Sequence, residues 1–243
     1  MNSSNINFDN VAVYIIHISN NKERYDLIES QREKLKTKNI TVIEAVTPEN
    51  ITDYNLLTSY SDLSVHDTDQ RAKRFLCCTL SHRVVHQTAW MNGDEYYIIL
   101  EDDFKILDSF EEWKSRVKEK SFEFDILPMG GYHSYYDDPD WFVVTDDEVK
   151  VVKQITCSVA CLHTRKSTLK FISAFDTKFN VKDYDGADGF YAKYVYPILE
   201  TKSLFPLPIV THACKSDISK SNVDHEQLYR NYFNQMKKKF INN

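Results

Sequence analysis

The sequence predicts a single α/β domain built on a mixed, mostly parallel sheet flanked by helices, and three observations carry that prediction. Two near-continuous apolar runs, Val11 to Ile16 and Tyr96 to Leu100, have the length and composition of strands covered on both faces. Each empties into polar residues, His17-Ile18-Ser19-Asn20 in the first case and Glu101-Asp102-Asp103 in the second. Between them the period changes to that of helices, and the chain up to Ala45 reads as a complete β-α-β unit.

With 243 residues and 42% hydrophobic content, the chain can bury one sizeable core. Its 30 basic and 36 acidic residues leave a net charge of −6, which argues against a general nucleic-acid binder resting on phosphate neutralisation. The five cysteines, Cys77, Cys78, Cys157, Cys161 and Cys214, form neither a disulfide framework nor a paired zinc pattern, so reduced thiols in a cytoplasmic setting are expected. Residues 1–10 have neither the basic nor the apolar region of a secretory leader, and no later run spans a bilayer. The expectation is a soluble or peripherally membrane-associated protein, with residues 1–10 disordered or loosely packed and a folded domain over 11–220.

Each element has its own signal. From Lys22, Tyr25, Ile28 and Leu35 share a helical face, and Ile40 to Ala45 forms the second strand. Thr47 to Thr68 shows no clear period and reads as an irregular excursion with a short helix near Tyr54 to Leu57. Cys77 to His82 precedes a helix through Val84, Val85, Thr88 and Ala89 that Gly93 ends. Ser109 and Glu112 make a capping box ahead of Phe110, Trp113 and Val117. Phe122 to Leu127 is a strand running into a turn at Pro128-Met129-Gly130-Gly131. Two runs, Trp141 to Val144 and Val149 to Val152, flank Asp146-Asp147 as a hairpin. Ser158 to Leu162 is a short strand, Ser167 caps a helix through Phe175, and Pro206 and Pro208 keep Ser203 to Val210 extended. Residues 221–243 carry Tyr229, Phe233, Met236 and Phe240 at helical spacing beside Lys237 to Lys239. That pattern describes an amphipathic helix packed on the domain, or one docked to an anionic membrane or lipid-linked acceptor.

The chemistry-bearing residues cluster at strand ends. In an open α/β sheet, ligands collect at the carboxyl ends of the strands, which is where Glu101, Asp102 and Asp103 fall. Alternation along the strand puts Glu101 and Asp103 on one face and Asp102 on the other. Adjacent carboxylates repel, and a hard divalent cation makes their clustering favourable. A solvated loop or helix-start charge is the plainer reading, but the next helix has its own start at Ser109. A second constellation places Asp183, Asp185 and Asp188 around Gly186 and Gly189, before an aromatic helical segment. A turn at Asp185 and a helix cap at Asp188 account for it equally well. His82 by itself reads as a satisfied structural histidine more readily than as a ligand.

Several of these segments, taken in order, resemble glycosyltransferase family 25, the group of lipopolysaccharide-type glycosyltransferases and procollagen galactosyltransferases. Val13 to Ile18 with Arg24 resembles its first strand and following arginine, with His17 and Ser19 where asparagine and aspartate are usual. Cys78-Thr79-Leu80-Ser81-His82 resembles its Cys-x-x-Ser-His segment, with Cys77 in place of glycine. Ile99 to Asp103 matches its acidic strand, and Ser216-Asp217-Ile218 its C-terminal Ser-Asp-Ile. The resemblance implies a GT-A-like, Rossmann-like fold and an inverting transfer dependent on Mn2+ or Mg2+. The expected donor is a nucleotide-sugar, UDP-galactose or UDP-glucose being favoured, and the acceptor a hydroxyl of a glycan, glycolipid or glycoprotein. On that reading Glu101, Asp103 and His212 hold the metal, and His17, Arg24, Ser81, His82 and Asp102 meet the nucleotide. Asp188, with Asp185 second, serves as general base. Competing readings are a silent glycan- or protein-binding module and a metal-dependent nucleotidyltransferase, which would consume a nucleoside triphosphate.

Overall fold

The computed structural model describes residues 1–37, 39–51, 70–130, 142–144, 149–152, 159–179 and 186–211. The expected β-α-β unit is present as β1 (Ala12–His17), α1 (Lys22–Leu35) and β2 (Ile40–Glu44), with β1 and β2 parallel. Asn21 starts α1, its side chain accepting from the Arg24 amide. The chain continues through α2 (Gln70–Asn92), β3 (Tyr96–Glu101), β4 (Phe104–Ile106), α3 (Phe110–Lys120) and β5 (Ile126–Gly130). The expected hairpin is β6 (Phe142–Val144) against β7 (Val149–Val152), and β8 (Ala160–Thr164), α4 (Arg165–Lys178) and α5 (Gly186–Phe190) follow. A π-helical turn, Tyr191–Val195, leads on to β9 (Lys202–Leu204) and β10 (Ile209–Thr211).

Among the described residues the main sheet has 7 strands in the order β2-β1-β3-β8-β5-β10-β4. Strands β2, β1, β3, β5 and β10 run one way; β8 and β4 run the other. A smaller sheet pairs β6, β7 and β9. The apolar runs are continuous because both faces of the centre are covered. Val13, Ile15, Ile98 and Leu100 pack in one cluster with Ile28 and Leu35 of α1, whereas Tyr14, Ile16, Tyr97 and Ile99 pack with Val85 and Ala89 of α2. Period-2 alternation thus sends successive residues to opposite layers.

Several local expectations are corrected. Helix α2 starts well before the Cys-Ser-His segment, which lies inside it. Leu76, Cys77 and Leu80 are buried along it, and the Thr79 and Ser81 hydroxyls donate back to the carbonyls of Phe75 and Cys77. Gly93 ends it as expected, in a left-handed conformation with the Asp94 amide reaching the Ala89 carbonyl at 3.1 Å. Ser109 precedes α3 without a side-chain capping bond, so no capping box forms there. Strand β5 runs through Pro128 to Gly130, where a turn was expected; Pro128 sits at a register shift against β8. A Cβ on Gly130 would stand 3.0 Å from the Ile209 carbonyl oxygen and 2.8 Å from Val159 Cγ1, so the close approach of neighbouring strands requires glycine there. Thr164, and not Ser167, caps α4, its hydroxyl accepting from the Ser167 amide at 3.3 Å.

The first ten residues are packed rather than loose. The Ser3 hydroxyl donates to the Val117 carbonyl at 2.7 Å, and Ile6 and Phe8 are buried in the core. Phe8 meets Trp113 edge-on with ring centroids 6.2 Å apart. The polar composition of the segment hid these two apolar anchors. Residues 221–243, with the C-terminal helix expected there, lie outside the described residues, as does the short helix expected near Tyr54.

Candidate functional site

Strands β1 and β3 are parallel neighbours, with Ile16 opposite Glu101, so their carboxyl ends deliver His17 and the three acids to one edge. There a cleft of about 370 Å³ opens. Arg24, Glu101, Asp102 and Asp103 line it from the sheet edge and α1, and Cys78, Ser81 and His82 line it from α2. The start of the excursion after β2, including Pro48 and Glu49, closes another side.

Strand β3 ends at Glu101, so the expected alternation does not extend to Asp102 and Asp103. Both turn toward the same guanidinium: Arg24 Nη1 lies 3.2 Å from Asp102 Oδ1 and 3.2 Å from Asp103 Oδ2. The second Asp102 oxygen accepts from His17 Nδ1 at 2.9 Å. His17 and Arg24 are both nearly fully buried, so removing Arg24 would leave the carboxylates it pairs with an uncompensated charge in a poorly solvated site. Asp102 is therefore committed to protein partners through both oxygens.

Asp103 is not. Its Oδ1 is buried without a hydrogen-bond partner. Burial first, and then the neighbouring Glu101 carboxylate, push its pKa up from 3.8 to about 7 against the opposing pull of Arg24. A buried lone carboxylate oxygen beside a second acid is the donor set that a hard cation satisfies. Glu101, partly exposed at the end of β3, offers the other carboxylate.

The α2 wall presents His82, whose Nε2 stands 3.4 Å from Glu101 Oε1. Ser81 accepts from the Val46 amide at 2.9 Å and donates to the Cys77 carbonyl at 2.8 Å. It pins the segment after β2 to α2, so its hydroxyl hydrogen is not offered to a ligand. Asp188 lies on α5, which packs on α2. Burial, then the Glu101 and Asp188 carboxylates, push the Cys78 thiol well above its usual value. The two acids from separate constellations therefore face one thiol.

The structure brings together His17, Arg24, Ser81, His82, Glu101, Asp102, Asp103 and Asp188. Asp185 and His212 lie outside the described residues. Sequence reasoning missed Cys78 as a cleft residue and the buried partners of His82. Its four-residue spacing from His82 was the available signal, masked by the assumption that the helix began later.

A comparison with curated proteins finds no match. Among solved structures, one described as a glycosyltransferase involved in the glycosylation of the major capsid of PBCV-1 aligns with a TM-score of 0.50 at 10% identity. That alignment covers 90% of this chain and 99% of the other. The inositol-1-phosphate CTP transferase from T. maritima aligns at 0.47 and 10% identity, over 92% of this chain and 96% of that one. The first likeness agrees with a GT-A-like fold. The family model for glycosyltransferase family 25 (LPS biosynthesis protein) matches residues 10–193, which spans β1, the α2 segment, the acidic strand and α5. The chain belongs to glycosyltransferase family 25 and is a glycosyltransferase.

Proposed function

We propose that this glycosyltransferase is an inverting, metal-dependent hexosyltransferase that moves galactose or glucose from a UDP-sugar to a hydroxyl of a glycan, glycolipid or glycoprotein. The unpartnered, buried Asp103 Oδ1 beside Glu101 carries the reading, because it is the one aspartate oxygen of the triplet that neither Arg24 nor His17 engages. Asp103 and Glu101 would hold Mn2+ or Mg2+, with His212 as the further expected ligand. The ion supplies Lewis-acid stabilisation of the diphosphate leaving group.

The chain's own residues do the rest. Arg24 fixes Asp102 and Asp103 in one orientation, and His17 holds Asp102 from behind, so the acidic edge is preorganised before donor arrives. The walls formed by α2 and the segment after β2 restrict water around the donor. Asp188 takes the proton of the acceptor hydroxyl as that oxygen attacks, Asp185 being the alternative base. The family's description points to lipopolysaccharide-type glycan synthesis as the setting.

Thermal denaturation with UDP-, GDP-, CMP- and dTDP-sugars, each with and without Mn2+, tests the reading. A ligand at 100 times its Kd stabilises the folded state by about 2.7 kcal/mol. The expected result is a shift with UDP-sugars that requires Mn2+. A shift with another nucleotide class refutes the donor, and a Mn2+-independent shift refutes the metal.

A further inference from the structure

Cys78 and His82 stand one turn apart on the same face of α2, and Glu101 reaches toward them from β3. Cys78 Sγ, a His82 ring nitrogen and a Glu101 carboxylate oxygen all lie within 4.8 Å of one another. Zinc bonds of about 2.0–2.3 Å to nitrogen, oxygen and sulfur place ligand atoms roughly 3.5 Å apart, so an adjustment of about 1 Å closes the set.

A second observation comes from the other side of His82. Its Nδ1 faces the Tyr191 hydroxyl at 3.4 Å, and that hydroxyl lies 2.6 Å from His86 Nε2. His86 Nδ1 bonds the Tyr97 hydroxyl, which lies 2.8 Å from Thr168 Oγ1, and Thr168 donates to the Thr164 carbonyl at 3.1 Å. With the Thr168 proton committed to that carbonyl, Tyr97 donates to Thr168, His86 Nδ1 to Tyr97, and Tyr191 to His86 Nε2. His82 Nδ1 then donates to Tyr191. This chain leaves the His82 Nε2 lone pair facing Glu101 Oε1 at 3.4 Å. With His82 neutral, two acceptors confront each other there, an arrangement that a metal cation between them relieves as a proton on Nε2 would.

We propose that Cys78, His82 and Glu101 form a binding site for a thiophilic divalent cation such as Zn2+, with the fourth position open to the cleft. Sulfur and imidazole select zinc over the hard ions that Asp103 suits. Binding exchanges the Cys78 S–H proton for an S–Zn bond and releases that proton to solvent. The site goes beyond the Asp103 reading but shares Glu101 with it. Zn2+ therefore withdraws Glu101 from a hard ion and antagonises Mn2+.

The test titrates the metal-free full-length protein with Co2+ as a spectroscopic substitute for zinc. The expected result is a sulfur-to-cobalt charge-transfer band that Cys78→Ser removes and Cys77→Ser keeps. Tyr191→Phe, which deletes only the hydroxyl behind His82, weakens Zn2+ binding by about 10- to 100-fold. In unmutated protein, Zn2+ slows alkylation of Cys78 mapped by mass spectrometry, which guards against a misfolded variant. A missing band, a band that survives Cys78→Ser, or equal Cys78 alkylation with and without Zn2+ overturns the site. Mn2+ binding is read separately by electron paramagnetic resonance. A Cys78-dependent cobalt band upholds this site even where Mn2+ fails to bind, in which case the Asp103 reading alone is wrong.

Discussion

The Arg24 guanidinium meets the Asp103 carboxylate at 3.2 Å through Oδ2, while the other oxygen, Oδ1, is buried and unpartnered. One cation, Arg24, thus serves two aspartates. The energetic consequences are measurable without any substrate.

Folding raises the Asp103 pKa from 3.8 to about 7, so the folded state retains a proton that the unfolded chain releases. The associated stability is fully present below pH 4 and is lost as pH rises through 7. Asp103→Asn, which keeps an oxygen for Arg24, removes that loss. Relative to wild type, the metal-free variant should gain nothing near pH 4 and about 1–3 kcal/mol above pH 7, or roughly 2–4 °C in Tm per kcal/mol. Differential scanning calorimetry in chelator at pH 4, 6 and 8 reads this directly.

The histidines behind the site carry the opposite dependence. Burial first, then a neighbouring histidine, holds His163 down at about 3 and His86 well below its usual value. Both are neutral when folded, while the unfolded chain binds protons below about pH 6.5. Their stability contribution is present above that pH and is lost as pH falls toward the folded values. Each histidine contributes up to about 1.4 kcal/mol per pH unit, so His163→Gln should reduce the slope of urea-unfolding stability between pH 6 and 4 by about that amount.

How far the sequence revealed this site depends on the residue. The acidic edge was legible because Tyr97 to Leu100 is buried on both faces, and an uninterrupted apolar run states that directly. The resemblance picked out His17 and Arg24, but not that both bind Asp102; that depends on Asp102 turning back where β3 ends. The extent of α2 was hidden because its middle carries Cys77, Cys78, Thr79 and Ser81, and the hydroxyls of Thr79 and Ser81 are satisfied inside the helix. Strand β8, antiparallel between β3 and β5, gave no sequence sign of its place. The relay from His82 through Tyr191 and His86 spans residues 82 to 191 and exists only in three dimensions.

Gly186 opens α5 with φ +70°, and a Cβ there would stand 2.7 Å from Phe75 Cδ1 of α2. Gly186→Ala should cost about 1–3 kcal/mol in urea unfolding through backbone strain and overpacking. Because α5 carries Asp188 and not Asp103, sugar transfer should fall more than donor affinity. Steady-state kcat and calorimetric Kd on the same preparation separate the two.

Asp188→Asn replaces the proposed base by a group of the same shape that accepts no proton. Donor affinity should be unchanged and transfer should fall by about 10²- to 10⁴-fold, measured as UDP release in the presence of acceptor. Retained transfer moves the role to Asp185.

If Asp103 recruits the metal through which donor is held, titration calorimetry of UDP with and without Mn2+ on wild type and Asp103→Asn will show it. Wild type should bind UDP tightly only with Mn2+, and Asp103→Asn should bind it weakly and equally in both conditions. The same Mn2+ dependence in both proteins would contradict the account.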